Sequence, residues 1–279
     1  MSTSTGTVHN SNVACCNIPP VKSDYQPKGI YKSYAGFKKA YVTGPEKPGK
    51  LALVAVYDIF GWVSLSDCDR FLVSYIKCRF KPQTQQGADI LAEDLKAQVV
   101  MPDFFEGDEP WPVDNFPPTT DEDKKKFQAW FGGFANPANH VPRLINVAKT
   151  LKEEGAEFVV AYGYCWGGKV SIVAGSQEGT PFDAVSIIHP AMLSADDAEK
   201  LNVPLGMFIS NDESKEEFEK IVNVISKKPF ADKNDSRIFD SFHGFAAARA
   251  DLDDPDNKAK YVDLYCTLIK FVKKASGAS

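Results

Sequence analysis

No apolar window in the sequence approaches the roughly 18 residues that a membrane-spanning helix needs. The start, MSTSTGTVHNSNVACCN, has neither a positive n-region nor an apolar h-region, so no secretory signal is expected. A basic stripe is also missing: the net charge is −5 and the pI about 5.5. Phosphate-backbone binding needs clustered cations, so no nucleic-acid partner is expected. The clusters Lys124-Lys125-Lys126 and Lys273-Lys274 are short and read as solvated faces. The six cysteines, at 15, 16, 68, 78, 165 and 266, show no CxxC spacing. Neither a zinc site nor a disulfide framework follows from them, and a reducing cytoplasm is the simplest setting. Finally, no Pro/Gly/Ser-rich linker interrupts the chain after residue 30.

What is present is enough apolar material for one large core: 279 residues, 43% hydrophobic. Residues 1–28 are polar and proline-punctuated and read as an N-terminal arm, partly disordered at its start. Residues 29–279 read as a single domain. GIYKSYAGFKKAYVTG suggests an early hairpin around Ala35-Gly36. LALVAVYDIF (51–60), QVVMPDFF (98–105), FVVAYG, FDAVSIIHP, VPLGMFIS and SRIFDSF have the near-continuous apolar character of buried strands. Helical spacing fills the gaps at 85–97, 140–155, 167–178, 213–227 and 257–275. Strand alternating with helix predicts an α/β fold, a doubly wound and mostly parallel sheet of about eight strands with helices on both faces.

Residues 106–139 break the alternation. They carry two Pro-rich stretches and the aromatics Trp111, Phe116, Phe127, Trp130, Phe131 and Phe134. A long connection leaving the C-terminal end of a strand either covers a pocket or is a packed surface excursion. On the first reading, Trp130 and Phe131 are candidate substrate contacts.

The stretch Gly163-Tyr164-Cys165-Trp166-Gly167 has the spacing of a nucleophile elbow, G-x-nucleophile-x-G. A tight strand-to-helix turn crowds the positions two before and two after its apex, and glycine relieves that crowding. The apex thiol then stands at a helix N-terminus, where amides and the helix dipole favour a thiolate. A nucleophile needs a base, and the base needs an orienting acid, in the chain order nucleophile, acid, base. His243, in the loop before the last helix, is the expected base. His189, at the end of VSIIHP, reads as a loop residue or one supporting the site from behind. Asp212, just past a buried strand, is the expected acid; an N-cap role for it is the alternative, and Glu213 the substitute. The oxyanion site would use the Trp166 N–H and a second amide from the loop after the strand 51–58. Asp58, ending that strand, should lie near the thiol.

YDIFG (57–61), QQGADILAE (85–93), MPDFFEG (101–107), GYCWGG (163–168), SNDE (210–213) and FHGF (242–245) resemble the dienelactone hydrolase family, as does the N-terminal CCNIPPV with its fungal branch. The resemblance spans nearly the whole chain and implies an α/β-hydrolase fold. It implies a Cys165–Asp212–His243 triad, backbone oxyanion donors at Ile59 and Trp166, and Asp58 as partner of the resting thiol. It also implies hydrolysis of a small ester or lactone through an acyl-enzyme, with no metal or organic cofactor. Bacterial members use arginines to hold the substrate carboxylate. Here MPDFFEGDEP has acids where one of these would stand, and Arg249, six residues past His243, is a partial replacement for the other. An ester or lactone other than dienelactone is therefore the expectation, handled by a monomer or dimer.

Val63 to Arg79, VSLSDCDRFLVSYIKCR, interrupts that resemblance. Deleting it leaves YDIFGWFKPQTQQGADILAE, which reads as an uninterrupted family member. It reads as a retained intron translated into protein, or else as a loop insertion. Two further functional readings stand beside the hydrolase: a thiol redox sensor acting through Cys165, and a catalytically silent binding protein on the same fold.

Overall fold

The computed structural model describes Asn17 and residues 20–61, 81–106, 111 and 116–278. The suspected insertion at 63–79 and the Cys15-Cys16 pair lie outside the described residues. Eight strands form one sheet: β1 (Ile30–Tyr34), β2 (Phe37–Thr43), β3 (Leu51–Val56), β4 (Gln98–Pro102), β5 (Phe158–Tyr164), β6 (Ala184–Ile188), β7 (Leu205–Ile209) and β8 (Asp235–Ile238). Their order is β1-β2-β4-β3-β5-β6-β7-β8. The β1–β2 and β2–β4 pairs are antiparallel, and every later pair is parallel. The sheet is thus the mostly parallel, doubly wound one that strand–helix alternation predicts.

The early hairpin turns through Ala35 and Gly36, both at positive φ (48° and 86°). That is the backbone a two-residue turn needs to match the strands' twist. Strands β3 and β5 are buried on both faces, which is why their sequences are apolar without alternation. Seven helices accompany the sheet among the described residues: α1 (Pro82–Leu95), α2 (Asp121–Gly132), α3 (Pro137–Glu153), α4 (Trp166–Gly175), α5 (Ala195–Glu199), α6 (Lys215–Ile225) and α7 (Pro255–Ser276). Helix α1 packs on α7, and α3 on α4, giving each face its helical layer. The last helix has signals at both ends: Asp254 accepts from the Asp256 N–H, Pro255 opens the first turn, and Gly277 closes the helix at φ 72°.

Helix bounds shift from the sequence expectation by up to three residues, α1 beginning at Pro82 rather than 85 and α3 at Pro137 rather than 140. Two differences bear on the site. The connection 106–139 contains a full helix, α2, capped by Thr120, whose hydroxyl accepts from the Asp123 N–H. Helix α6 starts at Lys215 rather than 213, because Ser214 caps it through the Glu217 N–H. Asp212 is therefore not the N-cap.

From residue 20 on, the arm is stitched down. The Val21 N–H donates to the Ala248 carbonyl at 2.9 Å. The Gln83 side chain bridges the carbonyls of Val21 and Ala250 at 3.0 and 3.1 Å. Buried Asp89 accepts from the Tyr25 hydroxyl, the Lys28 N–H and the Tyr41 hydroxyl. The arm thus braces the segment that follows His243.

Candidate active site

Strand β3 is flanked by β4 and β5, so the chain direction reverses across it. In open α/β sheets the crevice beyond the strands' C-terminal ends at such a reversal is where ligands bind. Asp58, Cys165, His189 and Asp212–Glu213 all follow directly on strands of this edge.

The elbow is built from close backbone approaches. A Cβ on Gly163 would stand 2.0 Å from the Gly167 carbonyl oxygen, and one on Gly167 would stand 2.1 Å from the Val56 oxygen. Only glycine fits at either position. Between them Cys165 sits at φ 51°, ψ −115°, a strained backbone for a residue with a side chain. Three hydrogen bonds hold the strain: the Cys165 N–H donates to the Ile188 carbonyl, and the Cys165 carbonyl accepts from Gly168 and Ala191. The thiol residue is fully buried. Trp166 is the first residue of α4, so its N–H belongs to the amides that have no acceptor within the helix. Its indole N–H donates to the Ala135 carbonyl at 2.6 Å, tying the elbow to the 106–139 connection.

The contact of Gly167 with Val56 and Tyr57 brings the next residues, Asp58 and Ile59, to the flank of the elbow. The carboxylate of Asp58 accepts from the Phe60 N–H at 3.0 Å and the Ala248 N–H at 3.3 Å. Burial pushes this carboxyl above its ordinary range, against the pull of the Arg249 charge. Ile59, in the same turn, presents a backbone amide with no acceptor among the described residues.

The candidate base and the two candidate acids lie in the next two loops. His243 is fully buried, and its Nδ1 stands 2.6 Å from Glu213 Oε1. The other Glu213 oxygen accepts from the Ser210 N–H at 2.5 Å, which fixes the carboxylate. This corrects the sequence expectation for the acid: Asp212 does not face the imidazole. Its Oδ2 accepts from the backbone N–H of His243 at 2.7 Å, so it holds the loop rather than the ring. The turn at 210–213 sends the two neighbouring acids in different directions, and the longer glutamate reaches Nδ1. No spacing rule separates two adjacent carboxylates.

Arg249 joins the site. A Cβ on Gly244 would lie 2.5 Å from its Cδ, so its stem runs across the residue after the base. Its guanidinium lies 4.5 Å over the Phe60 ring and 5.7 Å from the Phe116 ring. Trp130 reaches the elbow through one intermediary: its ring is 5.4 Å from Phe105, which is 4.7 Å from Trp166. Phe131 is fully buried against Phe127 and Trp130, one layer further out. Sequence reasoning gives no site role to Phe60 and Phe105 and does not single out Phe116 among the aromatics of the 106–139 connection, because their place in the cluster depends on contacts between distant segments. His189, expected as a loop residue or one behind the site, has its ring centroid 5.2 Å from that of His243. Among the described residues, no group of three His, Cys, Asp or Glu side chains is arranged to hold a metal ion, and no helix is long and apolar enough to cross a membrane.

A doubly wound sheet with a strained elbow after β5 and a histidine–carboxylate pair after β7 and β8 defines an α/β-hydrolase. Residues 97–276 match the model of the dienelactone hydrolase family. The chain belongs to that family, as the sequence motifs imply, and so to a family of hydrolases. An AIM2 family protein of Schizosaccharomyces pombe is 30% identical over 250 residues, 88% of this chain and 91% of its own length. It agrees with the fungal character of the motifs. A carboxymethylenebutenolidase homolog of Xenopus tropicalis is 32% identical over 166 residues, 58% of this chain and 56% of its own. The crystal structure of dienelactone hydrolase from Anabaena variabilis superposes with a TM-score of 0.55 at 12% identity, covering 89% of this chain and 97% of that one. At that identity the match speaks for the fold alone.

Proposed function

We propose that the chain hydrolyses a small ester or lactone through a thioester on Cys165, with His243 as base and Glu213 as the acid that orients it. The observation that carries this reading is the 2.6 Å contact between His243 Nδ1 and Glu213 Oε1, made beside an elbow that holds Cys165 at positive φ. A carboxylate on Nδ1 fixes the imidazole tautomer and stabilises the imidazolium formed during reaction.

In acylation the Cys165 sulfur attacks the carbonyl carbon and His243 takes the thiol proton. The carbonyl oxygen gains charge that the Trp166 and Ile59 amides would hold. The C–O bond then breaks, and the leaving oxygen takes the proton from His243. In deacylation water gives a proton to His243 and attacks the thioester carbon. The C–S bond breaks and the proton returns to sulfur. Asp58, buried and with a raised pKa, supports the proposed role of partner to the resting thiol. Arg249 beside His243 supports a substrate with an acidic group on the acyl side, and Trp130 a wall beyond Phe105.

The test is steady-state hydrolysis of activated esters and lactones, neutral and carboxylate-bearing. Turnover is expected to fall to background in Cys165→Ala, and Arg249→Met to lose rate with the acidic substrates alone. Undiminished hydrolysis by Cys165→Ala would sink the proposal.

A further inference from the structure

His189 is a buried ionisable side chain beside the site to which the mechanism above gives no task. It follows β6, immediately after Ile188, whose carbonyl accepts the Cys165 N–H. The side chain is fully buried, and no other described residue hydrogen-bonds either ring nitrogen. Its ring is fixed on three sides: 5.2 Å from His243, 5.7 Å from Phe245, and 5.8 Å from Tyr164 in a near-parallel stack. Its backbone is at φ 35°, unusual for a residue with a side chain, and is held by a 2.7 Å bond from its N–H to the Phe208 carbonyl.

An unpaired buried donor or acceptor costs about 1–3 kcal/mol. A phenylalanine would keep the stack on Tyr164 and Phe245 without that cost. The histidine, strained and unsatisfied next to the base, therefore has polar atoms prepared for something that arrives. Both half-reactions bring an oxygen to the same place. The leaving oxygen that takes a proton from His243 and the water that gives one stand against the same imidazole edge, because deacylation retraces acylation with water in place of the alcohol.

We propose, on the hydrolase reading above, that a ring nitrogen of His189 hydrogen-bonds this shared oxygen: the leaving oxygen in acylation, the attacking water in deacylation. No proton is transferred to His189. The bonds made and broken remain those of Cys165, His243 and the substrate, and His189 fixes where the oxygen stands. Burial and the neighbouring His243 and Arg249 keep its pKa well below the usual histidine range, so the ring stays neutral, with one donor and one acceptor nitrogen.

The experiment uses p-nitrophenyl acetate, whose leaving group departs without help, so that loss of the contact falls on deacylation. His189→Phe is expected to keep its burst of nitrophenolate within about twofold, while steady-state turnover falls tenfold or more. Intact mass should show an acetyl thioester accumulating on Cys165, and hydroxylamine, a stronger nucleophile than water, should restore release. Unchanged turnover in folded His189→Phe overturns the proposal, and so does loss of burst and turnover together. His189→Gln, which keeps a donor and an acceptor without the ring, should retain more than a tenth of the wild-type deacylation rate. A folded Gln variant below that also overturns it. Wild-type protein that forms no Cys165 adduct would remove the hydrolase reading itself, whereas an adduct in wild type with an unaffected His189→Phe removes only this inference.

Discussion

Asp212 and Glu213 are neighbours with separate tasks, one on the backbone of His243 and one on its ring. Replacing the ring's partner should cost far more. Glu213→Gln leaves the tautomer without its charged acceptor, and kcat/KM is expected to fall by about 10²–10⁴. Asp212→Asn keeps an amide oxygen for the His243 N–H, so its loss should stay under about tenfold. Ester hydrolysis by the two purified variants checks the contrast, and equal losses would contradict the assignment. Asp58 gives a second prediction. Its folded pKa is raised, so the stability it contributes is fully present below the unfolded value near 3.8 and lost as pH rises through the folded value. Asp58→Asn, which cannot ionise, should therefore melt higher than wild type at pH 7, the gap closing toward pH 4. Thermal melts across that range read it, and a lower melting temperature at pH 7 would contradict it. Cys165 and His243 stand out as candidates in the sequence because glycine spacing and chain order single them out. The acid was legible only as a pair of candidates, since which carboxylate turns inward depends on the turn at 210–213.

The elements carry the site by packing, and their glycines show how little room they leave. Gly163→Ala and Gly167→Ala both drive a Cβ into backbone carbonyl oxygens that cannot move aside. Each should cost more than about 3 kcal/mol, whereas Gly49→Ala, with nothing within 4 Å of its Cβ, should be nearly neutral. Denaturant unfolding separates them. The arm is the other device at this scale. Gln83 ties the Val21 and Ala250 carbonyls together, and Gln83→Ala should destabilise by about 1–3 kcal/mol by leaving both without that donor. Unfolding midpoints within error of wild type would show that the arm does not brace the loop after His243. The strands were legible in the sequence because β3, β5, β6 and β7 are near-continuous apolar runs. Helix α2 was not, because only Phe127 and Phe131 of its residues are buried, too few to mark a helical stripe against the prolines before it.

At the scale of the molecule, the switch of direction at β3 brings together the ends of β3, β5, β6, β7 and β8, which are far apart in the sequence. The order of strands and helices was readable from alternation. The aromatic bridge from Trp130 through Phe105 to Trp166, and the approach of Arg249 to Phe60, were not, since each joins segments with no local signal between them. The central claim is that this convergence makes Cys165 a nucleophile. The most direct measurement is intact mass, with peptide mapping, after brief exposure to an activated ester, comparing wild type with Cys165→Ala. The account predicts one acyl group on wild-type protein, mapped to Cys165 and discharged with time, and none on the variant. An adduct or turnover that persists in Cys165→Ala would contradict it.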